Sequence, residues 1–514
     1  MTSRSDVALV ADLGSTGLKV GLCTLDGTLL EARHATIATA RPASGAAHQD
    51  AAEWWTLIAG FARELLAGVD TARIAAVAIG GQYASVVPVD DAGEPVGPCI
   101  MWSDAMGAPH VRSKVGGPIA GLKPSAALTF VTKTGGAPSP SGTDGAGGML
   151  HLTNDRPEIL ARAAWVLEPV DYLTMRFTGA PVATHASMFG WWLTDNRRIE
   201  TLAYDKDLLA ILGLNSSQLP PLVPFGSIAG QVTAPAALAT GVPEGTPVIA
   251  GIPDLHAAAL GTGTIEIGGP GHLALSTTSW ISAPVAKKKT DIFHSIATMP
   301  GLDASSQLII NNHEIGAKAL EWLAAMLAVP SPVDFDALTA EAATAAPGSG
   351  SVLFTPWLAG ERSPVENHRA RGGFHNLSLD TGRPEVIRAV LEGVAYNSRW
   401  LATYVDKFAG RTLSPLRLLG GGAVSPLWCQ IHADVLGRPV EQIEAPMVAQ
   451  LRGAALLAGR SLGVLTTEEI SAAAVIARRF EPEQAAVNRY EALYEEFPKL
   501  MKSQAGMFRR LQRR

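Results

Sequence analysis

A chain of 514 residues exceeds what one hydrophobic core organises, so two or three domains are expected at roughly 150 residues or more apiece. The formal net charge of −6 removes the electrostatic footprint of a nucleic-acid binder, and the one basic cluster, Arg509, Arg510, Arg513 and Arg514, reads as a solvated helix end. Three scattered cysteines, Cys23, Cys99 and Cys429, argue against a disulfide scaffold or a structural zinc site, and the absence of a signal peptide or a bilayer-length apolar run leads to the expectation of a cytoplasmic protein without membrane partners.

In chain order, the apolar run at residues 7–11 reads as a buried strand, 14–17 as a turn and 18–24 as a second strand. Asp26-Gly27 is a hairpin signal before a third strand opening at Leu29, so an antiparallel meander is expected. Residues 51–66 carry helical spacing, with Trp54, Leu57, Phe61 and Leu65 on one face. Residues 74–80 form another buried strand, ending at Gly80-Gly81. The stretch 133–148 is rich in Gly, Pro, Ser and Thr, has little to bury, and reads as a mobile loop, either a lid or a surface excursion. Helical patterns resume at 157–164 and 170–177. A strand at 248–251 leads into Pro253-Asp254 and a helix from Leu255. A second strand–turn–strand follows, with 272–276 and 279–282 flanking Thr277-Thr278. Beyond it lie a polar loop at 360–373, an amphipathic helix at 385–400, a strand at 416–419, the turn Gly420-Gly421-Gly422 and a helix at 426–436. The strand–turn–strand unit with small hydroxyl residues occurs twice. The domain boundary is placed near 251–255, and the alternation of strands and helices argues for the α/β class.

Backbone N–H groups in Gly-rich turns and at helix N-termini cradle phosphates. The GxxxxGK[ST] loop is absent, but Asp12-Leu13-Gly14-Ser15-Thr16-Gly17-Leu18-Lys19 offers another solution. Gly14 and Gly17 let the turn close on a phosphate, Ser15 and Thr16 supply hydroxyls, and Asp12 can hold Mg²⁺. Taken alone, the segment is equally a polar β-turn. Asp254, alone, is more simply a helix N-cap; in a phosphoryl-transfer site it is a general base for a substrate hydroxyl. Thr277, Thr278 and Ser279 would form a second phosphate turn, and Gly420 to Ser425 suits a nucleotide. A dinucleotide reading with Glu441 as the ribose acid is weak, because the spacing is not GxGxxG and the first βα unit has no such motif.

Residues 12–19 resemble the first phosphate motif of the FGGY carbohydrate kinases. Asp254 with Ala257-Ala258 resembles their catalytic segment. Gly360-Glu361-Arg362-Ser363-Pro364, Ala370-Arg371-Gly372-Gly373-Phe374 and Arg388-Ala389-Val390-Leu391-Glu392-Gly393 look like the long family signature. Gly420 to Ser425, then Pro426-Leu427-Trp428, Gly437-Arg438-Pro439-Val440 and Gly453-Ala454-Ala455, look like the adenosine motif. These matches run in family order across nearly the whole chain, with the xylulokinases as the nearest pattern.

The resemblance implies an α/β chain of two ribonuclease H-like domains of the actin/hexokinase type, with a cleft between them. Residues 1–253 would bind sugar and 254–514 would bind ATP. It implies Asp254 as catalytic base and Asp12 as metal ligand. Gly14, Ser15, Thr16, Lys19, Thr277, Thr278 and Ser279 would contact phosphate, and Gly421, Gly422 and Ser425 the nucleotide. Gln82, Tyr83, Ala84, Trp102 and Asp104 fall in the sugar segments. ATP, Mg²⁺ and a small sugar are the implied partners, and the family allows monomers and homodimers. Gly81-Gln82-Tyr83-Ala84-Ser85 departs from the usual Gly-Gln-Met-His-Gly, and Trp102-Ser103-Asp104-Ala105-Met106 from Trp-Asn-Asp-Gly-Arg. Leu255 replaces an Asn, and Thr277 and Trp280 replace two glycines, so close backbone approach to phosphate at that turn is in question. The expected reaction is phosphorylation of a terminal hydroxyl of a pentulose, D-xylulose first. Ribulose, glycerol or a tetritol as acceptor, and a binding protein with weakened catalysis, are the alternatives.

Overall fold

The computed structural model describes residues 2–511; Arg513 and Arg514 lie outside the described residues, whereas Arg509 and Arg510 are exposed at the end of a helix, Phe497–Leu511. The first sheet is built around β1 (Val7–Leu13), which is apolar but for Asp12 and buried along its length, as a strand covered on both faces requires. β2 (Gly17–Thr24) and β3 (Leu29–Thr36) complete the expected meander, with Asp12 opposite Lys19. β4 (Ile74–Gly81) pairs parallel with β1. β5 (Ile228–Gln231) and β6 (Pro247–Pro253) finish the sheet in the order β5-β6-β4-β1-β2-β3.

The second sheet repeats the scheme. β7 (Gly271–Leu275) and β8 (Ser279–Ser282) form an antiparallel hairpin. β9 (Leu416–Leu419) and β10 (Val440–Ile443) add in parallel, and β11 (Ile476–Phe480) closes the edge in the order β8-β7-β9-β10-β11. The doubled strand–turn–strand is therefore the leading hairpin of two sheets with the same logic.

α1 (Ala51–Leu66) has the predicted bounds, but its buried face is Trp54, Ile58, Ala62 and Leu65, while Leu57 and Phe61 are half-buried. The stretch 133–148 corrects the reading of a mobile loop. It joins α2 (Pro124–Lys133) to α3 (Gly145–Asp155), and its glycines are packed. A Cβ on Gly147 would stand 2.1 Å from the Gly142 carbonyl oxygen, and one on Gly145 2.4 Å from the Trp191 ring. Asp144 caps α3 by accepting from Gly147 N at 2.8 Å, and its other oxygen accepts from Ser139 N and the Trp192 indole. The segment buries backbone rather than apolar side chains, so its composition resembled a loop's.

α4 (Asp254–Gly261) starts at Asp254 itself, with Pro253 as the capping residue, so Asp254 is not the N-cap. α5 (Arg383–Ala409) is longer than its expected core at 385–400, running to the left-handed Gly410. α6 (Pro426–Leu436) and α7 (Ala449–Ser461) follow. α4 and α7 cross at their small residues: a Cβ on Gly261 would lie 1.8 Å from Ala449 O, and one on Gly453 1.9 Å from Ala257 O. The Ala/Gly content of both helices is what allows their backbones to touch, and that crossing fixes where the first turn of α4 points.

A feature with no forecast in the sequence is a four-stranded sheet of Pro284–Val285, Thr290–Asp291, Ile296–Pro300 and Gln307–Ile310. It reaches across to the α2 region, where Lys288 Nζ donates to Val131 O at 2.6 Å and Thr290 Oγ1 to Gly135 O at 2.7 Å. All three cysteines are free and buried. Among the described residues no helix is long and apolar enough to cross a membrane.

Candidate active site

The β1–β2 turn closes on itself, Gly14 N donating to Gly17 O at 2.8 Å. Ser15 is half-buried and Thr16 exposed, so both hydroxyls are accessible. Asp12 is 3 % exposed and receives Lys19 Nζ at 3.2 Å, an ion pair set by the register of β1 and β2. Asp254 enters from the first turn of α4, its Oδ1 accepting from Leu255 N at 2.7 Å. Burial first, and the nearby Asp12 charge second, push its carboxyl up to about 7. The charge of Asp12 on β1 is thus felt at Asp254 on α4, and Asp254 is poised to exchange a proton near neutrality.

A cavity of about 380 Å³ opens beside them, and Ser15, Gln82, Tyr83, Ala84, Trp102, Asp254 and Thr278 all line it. Gln82 follows β4, anchored by its N–H to Leu13 O at 2.7 Å. Gly81 is required there, because a Cβ would stand 2.7 Å from the same carbonyl. The Gln82 side chain donates to Gln49 Oε1, and Gln49 in turn holds Ser15 O at 2.8 Å. Gln82 Oε1 and Trp280 Nε1 are buried without a protein partner, an acceptor and a donor that a ligand in the cavity can satisfy. Ala84 has φ 65° and is held in that conformation by Glu168, which accepts from Ala84 N at 2.8 Å and Ser85 N at 3.2 Å and also from the Trp191 indole. Burial pushes the Glu168 carboxyl well up, with Asp171 adding to it. Burial, followed by the charges of Asp254 and Glu168, raises the Tyr83 phenol beyond its ordinary range, so it stays a neutral donor.

Asp104 is not brought to the cavity. It is 1 % exposed, and its oxygens accept from Ala47 N at 2.7 Å and Met106 N at 2.8 Å. Burial works to raise it, but His48 and those two N–H groups outweigh burial and hold it below the usual carboxylate range. Its geometry is that of a brace for the 101–106 turn.

Thr278 of the β7–β8 turn lines the same cavity as Ser15 of the first turn. No residue from Ser276 to Trp280 has a positive φ, so Thr277 and Trp280 fit without glycine's freedom. The close packing is supplied from outside. Gly316 N donates to Thr277 O at 2.9 Å and Ala317 N to Ser276 O at 2.6 Å. A Cβ on Gly420 would stand 2.4 Å from Ser276 Oγ. Gly421, Gly422 and Ser425 follow β9 at the same sheet end, with Ser425 capping α6 through Trp428 N at 3.3 Å. Gly421 is open, while Gly422 is packed on Leu275. These three, with Ser279, lie outside the cavity lining, beside the Thr278 turn. Glu441, the acid of the dinucleotide alternative, is paired with Arg417 and Arg479 in β10.

Sequence reasoning passed over Glu168, Trp192 and Asp144, although an acid just before Pro169 in an apolar stretch was a usable signal. It placed Arg362 only within a signature. Arg362 lines the cavity, paired with Glu314 at 3.2 Å, beside buried Glu361, whose oxygens accept from Asn397 at 2.7 Å and Arg362 N at 2.9 Å. Burial pushes the Glu361 carboxyl up to about 8.

The N-terminal domain of the FGGY family of carbohydrate kinases matches residues 7–261, and its C-terminal domain residues 295–462. A xylulose kinase of Streptomyces coelicolor is 30 % identical over 472 residues, covering 90 % of this chain and 89 % of that protein. The ligand-bound xylulose kinase from Lactobacillus acidophilus shares the fold at a TM-score of 0.85 and 22 % identity, over 98 % of this chain and 100 % of that one. Gluconate kinase from the same organism does so at 0.84 and 22 %, with equal coverage. The chain belongs to the FGGY family of carbohydrate kinases, two-domain phosphotransferases of the actin/hexokinase-type fold that act on a sugar with ATP.

Proposed function

We propose that this enzyme transfers the γ-phosphoryl group of ATP to the terminal hydroxyl of a pentulose, D-xylulose first among the simple sugars. The observation that carries the reading is the position of Asp254, which lines the cavity with Gln82 and Tyr83 of the sugar segment and feels the charge of Asp12. The S. coelicolor xylulose kinase supports the choice of sugar. In this reading residues 1–253 bind the sugar and 254–514 the nucleotide, and the buried free thiols suit a reducing cytoplasm.

The acceptor hydroxyl sits against the Asp254 carboxylate. As its oxygen forms a bond to Pγ, the bond from Pγ to the bridging oxygen breaks and ADP leaves, while the hydroxyl proton passes to Asp254. Gln82 Oε1 accepts from a sugar hydroxyl, and Tyr83 and Trp280 Nε1 donate. Ser15 and Thr16 from one side, and Thr278 and the turn at Gly421 and Gly422 from the other, hold the phosphates in line with the attack. Asp104 serves the sugar wall indirectly, through the 101–106 turn.

The residues present fit Mg²⁺. Asp12, paired through one oxygen with Lys19, offers a hard carboxylate within electrostatic reach of Asp254. That is the arrangement of an ion held by one or two carboxylates and by substrate phosphates. Such an ion, when bound, neutralises charge on the transferring group.

A panel of D-xylulose, D-ribulose, glycerol, tetritols and gluconate, read by coupled ADP release, tests the assignment. D-xylulose is expected to give the largest kcat/KM of the five. Faster turnover of any other acceptor would replace the pentulose assignment, and no turnover with any of them would favour a binding protein, detectable by thermal stabilisation without ADP release.

A further inference from the structure

The cavity is divided in chemistry. Its inner end, at Ser15, Gln82, Asp254, Thr278 and Trp280, presents the two unpartnered buried atoms, Gln82 Oε1 and Trp280 Nε1. The same lining also carries Ile119, Val131, Ala137, Pro138, Ile292 and Ile296, which we take as its outer part. Several polar groups of the lining are already bound to protein, whereas the Asn312 side-chain amide, also in the lining, makes no hydrogen bond among the described residues. The Asn311 amide donates to Ile281 O at 2.6 Å and accepts from Ile281 N at 3.0 Å. Thr290 Oγ1 donates to Gly135 O, the Trp192 indole to Asp144, and Arg362 pairs with Glu314. A free sugar reaching into this chamber would surrender water from its hydroxyls and find few free partners beyond Asn312. An apolar group would gain by entering it.

Size points the same way. About 380 Å³ falls in the range of roughly 300–1,000 Å³ that encloses drug-sized ligands, above what a bare pentulose fills. Phosphates held at Ser15 and Thr278 reach into the cavity, but Gly421, Gly422 and Ser425 lie outside its lining. Ile119, on its rim, is 39 % exposed, an apolar side chain left on the approach to the site.

We propose that the preferred acceptor is a keto sugar or polyol carrying an apolar substituent, alkyl or aryl, at the end remote from the phosphorylated hydroxyl. The sugar portion occupies the inner end and the substituent the outer chamber. This rests on the kinase reading above and leaves its bond changes as written.

The test compares D-xylulose with its 1-O-butyl and 1-O-benzyl ethers on the unmodified protein with ATP and Mg²⁺. The ethers are expected to show kcat/KM about tenfold or more higher, mainly through a lower KM. Ala137→Phe, filling the chamber, is expected to cut the ratio of ether to free-sugar kcat/KM by about tenfold. Ala297→Leu, from the small sheet, reads the same ratio if the first variant does not fold. Equal or better use of free D-xylulose by the unmodified protein overturns the substituent while leaving the kinase reading standing. An unchanged ratio in a filled variant of normal thermal stability overturns the chamber assignment. ADP release with none of the three overturns the kinase reading and this inference together.

Discussion

The β1–β2 turn keeps its charge in its own strands, Asp12 against Lys19, and closes internally from Gly14 to Gly17. The β7–β8 turn carries no charge and is closed from outside, by Gly316 on Thr277 and Gly420 on Ser276. A turn that must let its backbone approach a phosphate needs room, and room can come from glycines in the turn or from glycines in what packs behind it. The second hairpin uses the latter. Thr277 and Trp280 sit in ordinary backbone conformations, and the small residues that pack against the turn stand at 316 and 420.

The comparison breaks most completely at the residue between the turns. Asp254→Asn is expected to lower kcat by about 10²–10⁴-fold with nucleotide binding retained, measured by coupled ADP release and by thermal shift with ADP. In the parent enzyme, activity should fall as pH drops below about 7, following loss of the ionised base. The sign for stability is opposite. The folded carboxyl titrates near 7 and the unfolded one near about 4, so the folded state holds the extra proton between them and loses stability as pH rises through that window. Asp254→Asn should thus melt higher than the parent at alkaline pH, with the difference vanishing in acid.

Asp12→Asn comes next. It removes the charge of the first turn, and kcat should fall about 10²-fold or more. Because Asp12 contributes to the raised titration of Asp254, the acid limb of the residual pH–rate profile should move to lower pH. An unmoved limb would separate the two carboxylates. Gly316→Ala tests closure from outside. Its Cβ would stand 2.6 Å from Thr278 O, so a stability loss of about 1–3 kcal/mol and a higher KM for ATP than for sugar are expected. Thr277→Gly should do least. No positive φ is needed there, so the cost is flexibility alone, below about 1 kcal/mol, with KM for ATP little changed. A clear gain in ATP affinity would mean that threonine does crowd the phosphate.

Much of the site was legible because it lies at element ends. Asp12 ends an apolar run and Asp254 follows one, and burial of those runs is a local property of composition. The stretch 133–148 was misread because glycines that pack backbone on backbone look, in composition, like glycines of a loop. Asp104 was legible as an acid in a sugar segment but not as one whose oxygens are spent on Ala47 and Met106. Glu168 shows the converse: its value lies in two N–H groups more than eighty positions away in the chain.

The amino-acid sequence by itself determined the two hairpins and the helix at Ala51–Leu66, since strand burial, helical period and turn chemistry act over a few residues. Only the tertiary structure decided that the Asp12 charge reaches Asp254, that glycines 316 and 420 pack against the second turn, and that residues of the 284–310 sheet line the cavity. Each of these is a contact between segments distant in the chain. It is set by the crossing of α4 on α7 and by close packing, neither of which has a period to read.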